Sequence, residues 1–501
     1  MSDTSGGEQP GGTPAFASHK PGKGEVRAMS ESRLPAFKAY DIRGKIPDEL
    51  NEDMAYTVGR AYVAEMRPQG AVAVGRDIRE TSEALSGAFI RGLNDMGINA
   101  VDIGICGTEM MYFASSLEGM DGGAMITASH NPREYNGIKL VRREGRPISE
   151  DTGLLDIERR VRTGNLPETA KTRGSVSRRD IMEAYVRRIL AFVDIHALKP
   201  LKILVNPGNG CAGPAIDALA RMLPFTFVRM HFQPDGTFPN GIPNPLLVEN
   251  RAATAEAVRA NGADLGIAWD GDYDRCFFFD ERGEYIEGYY IVGFLAKRIL
   301  ERYPGGKIVH DPRLVWNTIE IVEAMGGVPV ISKSGHSFMK EKMRAVGALY
   351  GGEMSAHHYF RDFCYSDSGM IPWLLVAEEM CIAGRKFSDL VRERIARFPC
   401  SGEINRQVED PEAAMKRIEG HCLKKATAIS HLDGLSMEFG DTWRFNLRKS
   451  NTEPVVRLNV ESSEDEALLK AKTGDILKLM ETGSEPPAPS EEGETFDQSV
   501  S

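Results

Sequence analysis

The sequence predicts an α/β chain of three or four domains, in which layered strand-helix-strand units are followed by a last unit of another kind. Three observations carry this reading. The chain has 501 residues, against roughly 150 residues per domain. Short apolar runs alternate with amphipathic stretches through three rounds, the rhythm of layered α/β units. Beyond about Gly402 the order changes to one helix followed by consecutive strands, as in an α+β domain closed by an antiparallel sheet.

The first round has strands at 71–74, 100–105 and 123–127, with a helix at 80–96. The second runs strand 202–206, helix 214–222, strand 225–232. The third runs strand 307–310, helix 314–325, strand 328–331 and a helix near 338–346, with a further strand at 348–350. The last unit has helices at 411–422 and 463–480 around strands at 435–439, 442–447 and 455–461. Residues 1–33 and 483–501 are rich in Gly, Pro, Ser and charge with little to bury, so both are expected to be disordered. The domain limits that follow are 34–175, 178–284, 285–398 and 399–482.

Hydrophobic residues at 42% and charged residues at 27% are those of an ordinary folded protein. The net charge of −11 argues against nucleic acid or an anionic membrane as partner. Seven scattered cysteines without a CxxC pair point to a reducing cytoplasm. The longest uncharged apolar run, 368–377, is too short to span a membrane, and no secretory signal precedes it.

Four segments carry chemistry. The first is Ile126-Thr127-Ala128-Ser129-His130-Asn131-Pro132, followed by Tyr135-Asn136-Gly137-Ile138-Lys139. A strand ending in Thr-Ala-Ser and broken by Asn-Pro puts Ser129 at the C-terminal edge of a sheet, where α/β proteins bind ligands. His130 and Lys139 are candidate neighbours for proton transfer or charge stabilisation, and a capped turn is the plainer alternative. The second is Asp270-Gly271-Asp272-Tyr273-Asp274-Arg275. Alternate carboxylates on extended backbone point one way and offer hard oxygen ligands suited to Mg²⁺ or Mn²⁺. An EF-hand is excluded, because Arg275 stands where that loop needs glycine and an apolar strand follows.

The third is Gly352-Glu353-Met354-Ser355-Ala356-His357-His358, where a carboxylate and a hydroxyl can grip vicinal sugar hydroxyls, unless it is simply a polar loop. His357 and His358 are also possible metal ligands, but no third His or Cys stands at a matching spacing. The fourth is Arg448-Lys449-Ser450-Asn451-Thr452-Glu453-Pro454 with Arg457 beyond, which is either a phosphate-wrapping loop or a polar hairpin. Gly208-Asn209-Gly210-Cys211-Ala212-Gly213 fits a dinucleotide fingerprint, but Asp235 lies in a turn well past the second strand, so these glycines are read as packing.

In this order the four segments resemble the α-D-phosphohexomutase superfamily, across nearly the whole ordered chain. Residues 37–44 (FKAYDIRG), 239–247 (PNGIPNPLL), 310–313 (HDPR) and 333–336 (KSGH) are similar to its bacterial phosphomannomutases in particular. The resemblance implies four domains, three related α/β units plus a C-terminal α+β unit, around a central cleft to which each contributes a loop. It implies that Ser129 carries a phosphoryl group and that Asp270, Asp272, Asp274 and phosphorylated Ser129 hold Mg²⁺. Arg43, His130, Lys139 and His357 would surround the transferring group, with Arg275 beside the metal and Tyr40 at the substrate. Glu353 and Ser355 would select sugar hydroxyls with His336 and Arg313 nearby. Arg448, Ser450, Asn451, Thr452 and Arg457 would hold the phosphate that is not reacting.

The activity so implied is interconversion of mannose 6-phosphate and mannose 1-phosphate through a hexose 1,6-bisphosphate, which also serves as activator, with glucose phosphates as further substrates. It would supply mannose 1-phosphate for GDP-mannose and polysaccharide synthesis, in a cytoplasmic monomer or small homo-oligomer. The alternatives are a phosphoglucosamine mutase, a metal-dependent sugar phosphatase and a binding protein that has lost catalysis.

Overall fold

The computed structural model describes residues 33–449 and 455–481. The leader expected at 1–33, except Arg33, the tail at 483–501, and Ser450, Asn451 and Thr452 lie outside the described residues.

Four sheets follow one another along the chain, and the first three share a plan. In each, a first strand lies between a second and a third that run parallel to it, and a fourth pairs antiparallel with the third. In the first sheet these are Ala71–Arg76, Ala100–Ile105, Met120–Ile126 and Tyr135–Arg142. In the second they are Lys202–Asn206, Thr226–Arg229, Leu265–Trp269 and Cys276–Phe279. In the third they are Lys307–His310, Val328–Ile331, Tyr350–Gly352 and His358–Phe360. The repetition that the sequence only suggests is therefore explicit in topology. The fourth sheet is antiparallel throughout, in the order Ile404–Gln407, Val455–Ser462, Trp443–Lys449, Leu435–Phe439, Ala428–Ser430.

One relationship positions the site. In all three α/β units the connection from third to fourth strand carries a motif: Thr127 to Glu134, Asp270 to Arg275, and Glu353 to His357. A parallel strand followed by an antiparallel one must turn at its C-terminal end, the edge where open α/β sheets leave ligand space.

The helices beyond the expected elements include amphipathic ones, such as Glu52–Met66, Leu154–Thr163 and Met182–Leu190, and one that is buried almost throughout. The run 368–377 becomes part of the helix Ile371–Ala383, whose residues from Ile371 to Cys381 are all buried, so no polar face marks its period. Its Pro372 sits in the first turn, where no helical N–H is lost. The strand expected at 348–350 lies at Tyr350–Gly352, which brings Glu353 directly to its end. The helix expected at 214–222 spans Ala212–Ala220 and starts right behind the glycine turn.

The first three units share one continuous core, from Ala73 through Trp269 and Trp373 to Phe398. The last unit has a separate one built on Trp443, Phe445, Leu458 and Ile476. All seven cysteines are free. Among the described residues, no helix is long and apolar enough to cross a membrane.

Candidate active site

The serine loop is held in an unusual backbone state. Ser129 has φ +49°, which costs a non-glycine residue energy that surrounding contacts must supply. Thr127 Oγ1 accepts from the Ser129 N–H at 2.9 Å. Arg79, buried, donates to four carbonyls of the same loop: Ser129 at 3.0 Å, Asn131 at 2.6 Å, Pro132 at 2.8 Å and Tyr135 at 2.9 Å. Ser129 is 3% exposed, and its Oγ donates to Asp270 Oδ2 at 2.7 Å and lies 3.0 Å from His130 Nδ1. The two strand-end loops thus meet at the serine hydroxyl.

The aspartate loop is densely charged. Arg275 Nε donates to Asp270 Oδ2 at 2.9 Å, and its Nη2 contacts His130 Nδ1. Burial, aided by Arg275 and Arg43, holds His130 well below the usual histidine range, so its imidazole is neutral. Lys139 donates to Asp272 Oδ2 at 2.8 Å and Asp274 Oδ2 at 2.7 Å. Burial disfavours that ammonium, but the two carboxylates outweigh it and raise the lysine above its ordinary value. Burial and the neighbouring Asp274 and Asp272 push Asp270 up to about 7, against the pull of Arg275.

The three aspartates bring ligand oxygens within 4.8 Å of one another, all from buried residues. Asp272 Oδ1 and Asp274 Oδ1 are buried with no hydrogen-bond partner, which fits a divalent cation far better than a closed polar cluster.

The third loop joins the second through a bridge between Arg275 and His357. His357 Nε2 lies 3.6 Å from Asp274 Oδ1 and Nδ1 lies 3.6 Å from Glu353 Oε2. Burial lowers this imidazole, but Asp274 and Glu353 prevail and raise it. Glu353 accepts from the Gly335 N–H at 2.7 Å and from the Tyr359 hydroxyl at 2.6 Å. Arg313 reaches Ser355 Oγ at 3.3 Å and is oriented by Asp311 at 2.6 Å. His336 begins a helix and meets the Tyr40 ring edge-on at 5.7 Å, and its Nδ1 is buried without a partner. Arg43 bridges Asn131 at 2.6 Å and Asp41 at 2.5 Å. Arg448 and Arg457 face each other across the last hairpin, and Arg313 and Arg448 both approach Glu403 at 3.5 Å. His358 takes no part, since its Nδ1 is bonded to the buried Tyr350 hydroxyl at 2.8 Å.

Four family models match the chain in succession: Phosphoglucomutase/phosphomannomutase alpha/beta/alpha domain I over 35–168, domain II over 183–283, domain III over 287–398, and the C-terminal domain over 403–475. The chain belongs to the phosphoglucomutase/phosphomannomutase family. A phosphomannomutase of Salmonella montevideo is 56% identical over 455 residues, covering 90% of this chain and 99% of that protein. A protein named phosphohexose mutases from Xanthomonas campestris is 57% identical over 447 residues, 89% of this chain and 99% of that one. The solved phosphoglucomutase/phosphomannomutase family protein of Burkholderia thailandensis superposes with a TM-score of 0.80 at 33% identity, covering 90% of this chain and 98% of that one. The four-unit architecture, three α/β units and a C-terminal one, is that of the family.

Several groups of the site escape motif reading. Arg79 lies in Gly75-Arg76-Asp77-Ile78-Arg79, far from Ser129 in sequence. Thr108 donates its hydroxyl to Asp272 Oδ2 at 2.5 Å from a helix start with no motif of its own. The glycine-rich segment has a different use from nucleotide binding. Cys211 N–H donates to the Gly271 carbonyl at 2.9 Å, and a Cβ on Gly210 would meet that oxygen at 2.7 Å, so the turn braces the aspartate loop from behind. Asp235 accepts from Thr237 in its own exposed turn.

Proposed function

We propose that this enzyme interconverts mannose 6-phosphate and mannose 1-phosphate, with glucose phosphates as further substrates, through phosphorylated Ser129 and a hexose 1,6-bisphosphate. The observation that carries it is a buried serine hydroxyl, 2.7 Å from Asp270, where strand-end loops of successive units meet. Similarity to proteins named phosphomannomutase supports the choice of sugar.

In the forward step a sugar hydroxyl oxygen attacks the phosphorus on Ser129, the bond from phosphorus to Oγ breaks, and the hydroxyl proton leaves to a base. His357, held between Asp274 and Glu353, is the base on the sugar-recognition loop. His130, neutral with its Nδ1 facing Arg275 and 3.0 Å from Ser129 Oγ, is the acceptor for the serine proton when the second phosphate passes back to Ser129. Lys139, Arg43 and Arg275 stay cationic and stabilise the charge that spreads over the transferring oxygens. Asp270, Asp272, Asp274 and the serine oxygen would hold Mg²⁺, which when bound neutralises phosphoryl charge. Glu353, Ser355, Arg313 and His336 then position the sugar, with Tyr40 beside His336, while Arg448, Ser450, Asn451, Thr452 and Arg457 hold its other phosphate. The bisphosphate must turn over in the cleft so that its second phosphate faces Ser129, and a phosphatase would instead lose phosphate to water. Seven free cysteines suit a cytoplasmic enzyme.

A coupled assay of mannose, glucose and glucosamine 1-phosphates, run with hexose 1,6-bisphosphate and Mg²⁺, tests the reading. Isomerisation of the mannose phosphate is expected, lost with Ser129→Ala and with a chelator. Near-wild-type turnover of Ser129→Ala would end the phosphoserine mechanism, and phosphate release matching isomerisation would favour a phosphatase.

A further inference from the structure

Glu403 stands immediately before the strand Ile404–Gln407, where the chain enters the last unit. Three guanidinium groups share its carboxylate: Arg313 Nη1 at 3.5 Å, Arg448 Nη2 at 3.5 Å and Arg457 Nη1 at 3.7 Å. Arg448 and Arg457 are direct partners across antiparallel strands, where like charges repel. Asp433 Oδ2 approaches Arg448 Nη1 at 3.4 Å from the other side. Two features mark this as an incomplete arrangement. The distances exceed the roughly 2.7–2.9 Å of a fully engaged charge-assisted bond, so the carboxylate is shared among three cations and clamped by none. In addition, the Nε donors of Arg313, Arg448 and Arg457 are all buried without a hydrogen-bond partner. Three cations with unspent Nε donors around the loosely held Glu403 carboxylate, with Asp311 bonded to Arg313 and Asp433 beside Arg448, form a pocket that would gain from a dianion with more acceptor oxygens.

We infer that Glu403 is an internal anion that occupies the phosphate pocket of the free enzyme and competes with the substrate's phosphate for Arg313, Arg448 and Arg457. This rests on assigning Arg448 and Arg457 to the non-reacting phosphate, and it brings Arg313, which also reaches the sugar-selecting Ser355, to the same carboxylate. Glu403 holds the three side chains together against their mutual repulsion while the cleft is empty, and it yields them when phosphate arrives. The competition weakens phosphate binding at this end of the cleft. A bisphosphate that must let go of one end, turn and rebind needs such an exchange, because an uncontested three-arginine pocket would retain it.

The test is calorimetric titration of the full-length enzyme with inorganic phosphate and with mannose 1-phosphate, comparing wild type, Glu403→Gln and Arg448→Met. Wild type is expected to bind both, with loss in Arg448→Met. Glu403→Gln is expected to bind each about five-fold more tightly or better, with lower KM and no gain in kcat. Glu403→Ala, expected to tighten binding likewise, serves if the glutamine variant does not fold. Unchanged or weaker phosphate binding in the Glu403 variants, with binding still dependent on Arg448, would overturn the competition and leave the pocket assignment standing. Binding indifferent to Arg448→Met would overturn the pocket assignment and this inference with it.

Discussion

A Cβ on Gly271 would stand 2.6 Å from the main-chain oxygen of Ser129. The aspartate loop therefore lies against the backbone of the serine loop, and only glycine permits the approach that lets Ser129 Oγ reach Asp270 at 2.7 Å. Gly271→Ala must push the loops apart by several tenths of an ångström at the reacting centre. Turnover is expected to fall by about 100-fold, because displacements of that order spoil in-line alignment. Thermal unfolding should move by only a few degrees, and steady-state kinetics beside a melting curve checks both. Full activity in this variant would show that the spacing of the two loops does not limit the reaction.

Arg79 donates to four carbonyls around Ser129 with one planar fork. A lysine has the charge but lacks that geometry. Arg79→Lys is expected to lower kcat by about 10-fold to 100-fold with a smaller change in KM, since the serine loses its fixed φ rather than the sugar its contacts. A variant with raised KM and unchanged kcat would contradict this.

Glu109 links three parts of the shared core. Its buried carboxyl accepts from the Tyr185 hydroxyl, from Ser368 Oγ at 3.1 Å and from the N–H groups of Gly369 at 2.5 Å and Met370 at 3.2 Å. Burial outweighs these donors and pushes its pKa from 4.5 up to about 8. The folded state then binds more protons than the unfolded state between those values. Glu109 should therefore contribute stability that is complete below about 4.5 and declines as pH rises toward about 8, levelling beyond. Denaturant titrations across this window should show a flatter dependence for Glu109→Gln than for wild type. Equal slopes would remove Glu109 as the cause.

Glu461 and Arg444 form a buried pair 2.7 Å apart in the last sheet, and both reach into the third unit. Glu461 accepts from the Tyr289 hydroxyl and the Val315 N–H, and Arg444 donates to the carbonyls of Arg313 at 2.9 Å and Pro312 at 3.0 Å. Neutralising Glu461 leaves the buried Arg444 guanidinium with only the partly exposed Glu438, 3.4 Å from its Nε, as counter-charge. Glu461→Gln is expected to destabilise by about 3–5 kcal/mol, seen in denaturant unfolding and in earlier proteolysis of the last unit, whose core is separate. A loss under about 1 kcal/mol would place the interface strength elsewhere.

Much of this enzyme is legible along the chain. Thr127 to Pro132, Asp270 to Arg275 and Glu353 to His357 are contiguous and show their residue types locally, but the first and third taken singly also read as a capped turn and a polar loop, and only the order of the segments together carries the family resemblance. The helix Ile371–Ala383 is not legible in this way, because a segment buried from Ile371 to Cys381 has no polar face to set a period.

The residue types at each strand end, and hence the family and its four units, were written in local sequence. Their assembly was not. Arg79 is 50 residues from Ser129, Lys139 is 133 from Asp272, and Glu403 stands 90 from Arg313 and 45 from Arg448. No local pattern encodes such pairs: Arg79 with Ser129 and Glu403 with Arg448 meet through the folding of one unit, and Lys139 with Asp272 and Glu403 with Arg313 only where different units pack together. The charge tells the same story: a chain of −11 overall concentrates Arg313, Arg448 and Arg457 at one point. Composition averages over the surface, whereas packing sets which charges share a dielectric and a ligand.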